Sequence, residues 1–301
     1  MNECTEQTLP TARVGLSGTA LKWIALVLMT LDHIHYMFVF TGVIPEWFSM
    51  AGRLAAPLFL FCLGEGVAYT RNRKKYFLKV YAISICMNGL LFFMAYGGIL
   101  RRPDGFVPMN GMMTAFVLLM VMFQGIDWLR EKHWLRGVVA LLLPLVWPFA
   151  ANLLAIALPK LMNPIAFVSY TFVPMMNSNW DTSLTTIVTG LLLYLLRNRR
   201  GLQVGVFSLT TFLYFFVVVG KILSGQPDFA WSQMFTQYYE WMGMFAGLLM
   251  LCYNGQRGRG LQKPVLCLLP GPYLSAVCPF LGSAALDELR CMNHGPYSGA
   301  G

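Results

Sequence analysis

"LKWIALVLMTLDHIHYMFVF", residues 21–40, decides the fold. The run is long and apolar enough to cross a bilayer, whose hydrocarbon core needs about 20 such residues as a helix. Yet Asp32, His33 and His35 sit in its interior half. An acid near the bilayer centre costs roughly 2.5–3.5 kcal/mol on insertion scales, so such residues face a bundle interior and carry function more often than not.

The rest of the chain supports a membrane reading. Of 301 residues, 57% are hydrophobic and 12% are charged, against about 25% charged in soluble domains. The mean hydropathy is +0.58. No long polar block is left for a separate soluble domain. The net charge of +9 does not call for nucleic acid, because the basic residues gather in short loops as the positive-inside rule expects. The seven cysteines form no CxxC pair, so neither a disulfide framework nor a metal site is expected. The first twenty residues are polar and run straight into a full span, unlike a cleaved signal peptide.

The fold expected is an all-α polytopic bundle. Spans are predicted near 21–42, 50–70, 76–98, 109–125, 136–158, 181–196, 204–223 and 238–253, about eight in all. Between the fifth and sixth, "PIAFVSYTFVPMM" (164–176) is short and bracketed by prolines, and reads as re-entrant. The loops "RNRKK" (71–75), "REKHWLR" (130–136), "RNRR" (197–200) and "NGQRGRG" (254–260) are basic. Eight spans with a cytoplasmic N-terminus put all four inside the cell. The chain thus divides into a cytoplasmic tail over 1–20, a transmembrane domain over 21–260 and an atypical tail over 261–301.

On α-helical geometry Asp32, His35 and Tyr36 share a face, while His33 points about 100° away. The second span, "MAGRLAAPLFLFCLGEGVAYTRNRKK", holds Arg53 near one end and Glu65 nearer the other. Roughly 18 Å of helix separates them, so they cannot readily pair with each other. Each needs a partner elsewhere, and Asp32 with its histidines is the nearest supply. Pro57 is placed to kink this helix, and Gly52, Gly64 and Gly66 permit close helix approach.

These residue types suit acyl transfer. An imidazole oriented by a carboxylate is a general base poised near neutral pH. His33 is the candidate base, with Asp32 or Glu65 as its orienting carboxylate and His35 as its competitor. Arg53 can stabilise a developing oxyanion. Arg71, Arg73, Lys74 and Lys75 form a cluster suited to the phosphates of a nucleotide-containing donor. The same features also fit a hydrogen-bonded structural knot, a proton relay in a transporter, or anionic-lipid contacts.

The chain resembles the TraX family. "LKWIALVLMTLDHI", "GRLAAPLFLFCLGEGVAYTRNRKKY", "NGMMTAF" and "YNGQRG" occur in the family's order, from about residue 20 to 260. The family is named for a plasmid-transfer protein that acetylates the N-terminus of pilin, and it is related to the wider membrane-bound acyltransferases. The resemblance implies an integral membrane acetyltransferase drawing on acetyl-CoA or another acyl-CoA. The acceptor would be an amine or hydroxyl of a protein N-terminus, a glycan or a lipid. It singles out Asp32, His33, Arg53 and Glu65 as matching positions. A proton-coupled transporter and a non-enzymatic assembly factor are the alternatives.

The resemblance stops after Gly260, where members of the family continue into an aromatic span resembling "FYxFYPxH". Here the chain reads "LQKPVLCLLPGPYLSAVCPFLG". Synonymous codons for Gly260–Leu281 exist that, read one base later, encode YKNLFYVFYPAHIYLLYALS. The tail therefore reads as an out-of-frame replacement of a last span.

Overall fold

The protein is described by a computed structural model over residues 15–96, 111–173, 176, 182–256 and 258. Residues 97–110, residues 174–175 of the predicted re-entrant stretch and residues 261–301 lie outside the described residues. Within them the structure is helical, and the one β contact is an isolated bridge between Leu16 and Tyr253.

In chain order the helices are α1 (Gly18–Phe38), α2 (Trp47–Gly52), α3 (Ala55–Tyr69), α4 (Arg73–Tyr96), α5 (Met112–Arg130) and α6 (Trp134–Ala157). They continue as α7 (Met162–Thr171), α8 (Leu184–Leu195), α9 (Arg200–Phe212), α10 (Val219–Leu223), α11 (Gln233–Thr236) and α12 (Ala246–Leu251). Ser17 starts α1 as an N-cap, its side chain accepting from the Ala20 N–H at 3.2 Å. Among the described residues six stretches are long and apolar enough to cross a membrane: Gly18–Thr41, Trp47–Tyr69, Arg73–Phe93, Met112–Arg130, Trp134–Ala157 and Arg200–Leu223. The chain is therefore a multi-pass membrane protein.

Two of the expected spans take a different form. The predicted sixth is the twelve-residue α8, whose length of roughly 18 Å falls short of a bilayer. The predicted eighth is split into a 3-10 helix, Tyr239–Phe245, followed by the short α12. Its tight winding brings Gly243 against the backbone of Arg53, where a β-carbon would sit 3.2 Å from the Arg53 carbonyl oxygen. That carbonyl is available because Pro57, four residues on, has no N–H to offer it. The stretch Arg200–Leu223 is also irregular, with π-helical winding over Leu213–Val218.

The basic loops come together at one end of the bundle. Arg73 at the start of α4 pairs with Asp127 near the end of α5. Arg200 at the start of α9 pairs with Glu65 near the end of α3. Leu16 donates to the Cys252 carbonyl at 2.7 Å, and the Asn254 N–H donates back to Leu16 at 3.0 Å. This clasp ties the start of α1 to the end of α12, and it explains part of "YNGQRG". Asn254 bonds Gly15 through its side chain, and Gly255 supplies a left-handed turn with φ +78°.

The core is made where α1, α3, α5, α8, α9 and α12 meet, with Leu21, Leu58, Phe61, Leu118, Phe123, Tyr194 and Phe207 fully or nearly fully buried. Outward-facing residues of α6, among them Leu142, Val146, Phe149 and Leu153, are apolar and exposed. An apolar exterior is what a lipid-facing helix requires. Gly125 of α5 and Gly137 of α6 bring those two backbones together, since a β-carbon on Gly137 would lie 2.9 Å from the Gly125 carbonyl.

α7 follows a turn at Pro159–Leu161 and packs on α4, with Phe167 and Tyr170 against Phe92. Its last carbonyls are taken by side chains of α4. Asn88 Nδ2 donates to Tyr170 at 3.2 Å, and the Tyr81 hydroxyl donates to Phe172 at 2.6 Å. Beyond it, the Met176 N–H reaches the Pro144 carbonyl at 3.4 Å, an acceptor freed because Pro148 lacks an N–H.

Candidate functional site

α1 and the broken α2–α3 helix place Asp32 and Arg53 side by side. Arg53 Nη2 lies 2.6 Å from Asp32 Oδ1, with the two side chains 30% and 25% exposed. Ser49, one helical turn before Arg53, completes the group. Its hydroxyl donates to Asp32 Oδ1 at 2.9 Å and accepts from Arg53 Nη2 at 3.0 Å. Its backbone carbonyl accepts from Arg53 Nε at 3.3 Å. Gly52 on the same helix makes room for the carboxylate: a β-carbon there would meet Asp32 Oδ1 at 2.7 Å. The Arg53 guanidinium also lies 6.0 Å from the Tyr239 ring, within the outer range of a cation–π contact.

The two histidines beside Asp32 differ. His33 Nδ1 lies 2.8 Å from the Met29 carbonyl of its own helix. An acceptor oxygen there requires the proton on Nδ1, so the neutral ring keeps its lone pair on Nε2. His35 Nε2 is buried and has no hydrogen-bond partner among the described residues.

Glu65 is brought to a different place from Asp32 and Arg53. It is 8% exposed and pairs with Arg200 at 3.2 Å. Arg200 stacks over Phe61 and Tyr253, at 4.5 and 5.1 Å from the ring centroids. Its other nitrogen donates to Gln203 Oε1 at 2.8 Å, and Gln203 donates to the Leu193 carbonyl of α8. Glu65 thus ties α3 to α9 and, through Gln203, to α8.

The basic cluster divides. Arg73 is engaged with Asp127 at 2.6 Å, where the Tyr194 hydroxyl also donates at 2.7 Å and Arg130 approaches at 3.5 Å. Arg71, Lys74 and Lys75 are exposed. Among the described residues no three of His, Cys, Asp and Glu group as metal ligands.

Sequence reasoning missed Ser49, Arg200 and Asp127. Ser49 has a local signal, standing four residues before Arg53 on one helix face. Arg200 stands in a basic loop and Asp127 just before one, and neither position signals its partner.

A family model described as TraX protein matches residues 17–257 of the chain. Comparison with curated proteins and comparison with solved structures each give no match.

Proposed function

The chain belongs to the TraX family, and from that premise we propose that it is an integral membrane acyltransferase. It would move an acetyl or other acyl group from an acyl-CoA to an amine or hydroxyl. The observation that carries this reading is the Asp32–Ser49–Arg53 group within membrane-spanning helices, with His33 and His35 on the same turn of α1. Ionisable residues are too costly in that setting to be kept without use.

In this mechanism the acceptor's N–H or O–H attacks the thioester carbonyl. A carbon–nitrogen or carbon–oxygen bond forms, the carbon–sulfur bond breaks, and the acceptor's proton passes through a histidine to the departing thiolate. His33, with its lone pair on Nε2, is the base, and His35 is its competitor. Arg53 offsets the negative charge of the tetrahedral intermediate. The donor's phosphates would meet Arg71, Lys74 and Lys75. That end is taken as cytoplasmic, with the N-terminus inside, because the basic loops collect there. The chain then makes eight net crossings, with α7 as a re-entrant element and α8 and the 239–251 region as short or broken ones. Asp32 lies fifteen residues along α1 from Ser17, roughly 22 Å from the basic end, so the acyl group must be delivered deep into the bundle.

The broken helices over 213–218 and 239–245 favour a second reading, a proton-coupled transporter. One assay separates the two. The full chain in nanodiscs receives radiolabelled acetyl-CoA and a peptide with a free N-terminal amine. Labelled peptide with release of free thiol, lost in Asp32→Asn, is the expected result. No transfer and no thiol release, together with a flux that follows membrane potential in liposomes, would overturn the acyltransferase reading. Wild-type activity in His33→Ala would pass the base role to His35.

A further inference from the structure

Asp32 is held by one oxygen only. Among the described residues every hydrogen bond and ion pair of its side chain falls on Oδ1, from Ser49 Oγ at 2.9 Å and Arg53 Nη2 at 2.6 Å. Its side chain remains 25% exposed. A carboxylate with an arginine to neutralise it could have been gripped through both oxygens, the usual fork-to-fork arrangement. Here Arg53 spends Nη2 on Oδ1 and Ser49 Oγ, and Nε on the Ser49 carbonyl, so a single guanidinium nitrogen serves Asp32.

Gly52 enforces the arrangement by contact. The carboxyl group lies over the Gly52 backbone, in the space a β-carbon would fill. Ser49 and Arg53 hold Oδ1 while Gly52 lies against the carboxyl group, and the 5% exposure of Ser49 keeps its hydroxyl committed to the pair.

We propose that Ser49, Gly52 and Arg53 form a cradle that presents Asp32 Oδ2 to the ligand, where it accepts a hydrogen bond from the acceptor's N–H or O–H. This rests on the acyltransferase reading above and gives the acceptor its binding atom. Asp32 does not take the proton in this scheme; the proton leaves through a histidine. Asp32 orients the nucleophile, and Ser49 is a positioning residue that acts through Asp32. The ligand class is a primary amine or a hydroxyl, as a group that can donate to a fixed carboxylate oxygen.

The test uses the full chain in nanodiscs, with acetyl-CoA and two probes: a short peptide with a free N-terminal amine, and the same peptide with a terminal hydroxyl in its place. Steady-state kinetics on wild type, Ser49→Ala and Ser49→Thr supply the first readout. Ser49→Ala is expected to raise KM for the probe about tenfold, the effect of one charge-assisted hydrogen bond, and more than it lowers kcat. Ser49→Thr, which keeps the hydroxyl, is expected to restore KM. Infrared difference spectra against Asp32→Asn supply the second, because they isolate the Asp32 carboxylate bands whether or not turnover occurs. Adding either probe is expected to shift those bands in wild type and Ser49→Thr, and not in Ser49→Ala. Turnover without a band shift would overturn the cradle while leaving the acyltransferase reading intact. Absence of turnover with a band shift would overturn the acyltransferase reading and retain Oδ2 as a ligand-binding atom. Absence of both removes both.

Discussion

Gly52 lies so close to Asp32 that a β-carbon on it would fall 2.7 Å from the carboxylate Oδ1. The two helices that carry them, α2 and α1, can therefore approach only because residue 52 has no side chain. The ion pair with Arg53, one residue on, depends on that approach.

Gly52→Ala is expected to displace Asp32 from Arg53 and to destabilise the protein by about 1–3 kcal/mol, the usual range for overpacking. Gly201→Ala is the control, since nothing lies within 4 Å of the position a β-carbon would take there. It should be neutral or stabilising by up to ~1 kcal/mol, because alanine is the better helix former. Thermal unfolding of both variants in one detergent checks the contrast; equal behaviour would remove the close contact as its cause.

Single replacements at the ion pair are expected to cost more than the double one. Asp32→Leu leaves Arg53 unpaired and Arg53→Leu leaves Asp32 unpaired, at about 1.5–3 kcal/mol each for a hydrogen bond to a charged group. The partial exposure of both side chains keeps the loss below that of a fully buried pair. Asp32→Leu with Arg53→Leu should recover much of this stability while remaining inactive. A double-mutant cycle on unfolding in mixed micelles measures the coupling.

α7 is held by α4 through Asn88 and Tyr81. Tyr81→Phe is expected to cost about 0.6–1.7 kcal/mol, the range for interhelical hydrogen bonds in membranes. Asn88→Leu should cost more, because Asn88 also donates to Thr114 at 2.8 Å and both residues are buried. Hydrogen exchange over residues 166–173 should rise in both variants and most in Asn88→Leu. Unchanged exchange would mean that packing on Phe92 and Phe93 holds the segment unaided.

Orientation is open to labelling. In a background lacking the seven native cysteines, Lys132→Cys and Arg199→Cys lie at the basic end, and Val43→Cys and Ser224→Cys at the opposite one. An impermeant maleimide added to intact cells is expected to label the latter pair only, with the former pair labelled after lysis. The inverse pattern would place the N-terminus outside.

The frame-shifted reading of the tail has its own check. Sequencing the 3′ end of the gene is expected to find codons after Gly260 that encode YKNLFYVFYPAHIYLLYALS one base later. Any codon incompatible with that string would make the tail an in-frame part of the chain.

By itself the sequence determined that this is a multi-pass helical membrane protein. Hydropathy is a local property, and a bilayer leaves the backbone few ways to satisfy its polar groups. The meeting of Asp32 with Arg53 was legible for a related reason. Charges at that depth need partners, and consecutive spans are neighbours. The partners of Glu65 and Arg73 were not legible. Arg200 and Asp127 lie on helices distant in sequence, and each reads as one more charge at a helix end until the bundle closes. Tertiary structure alone decided that α8 has only twelve helical residues and that residues 239–251 break into a 3-10 turn and a short helix. It also decided which Asp32 oxygen is held. These features depend on where another backbone comes close, at Gly52 against Asp32 and Gly243 against Arg53, and no periodicity in one segment records the approach of a second.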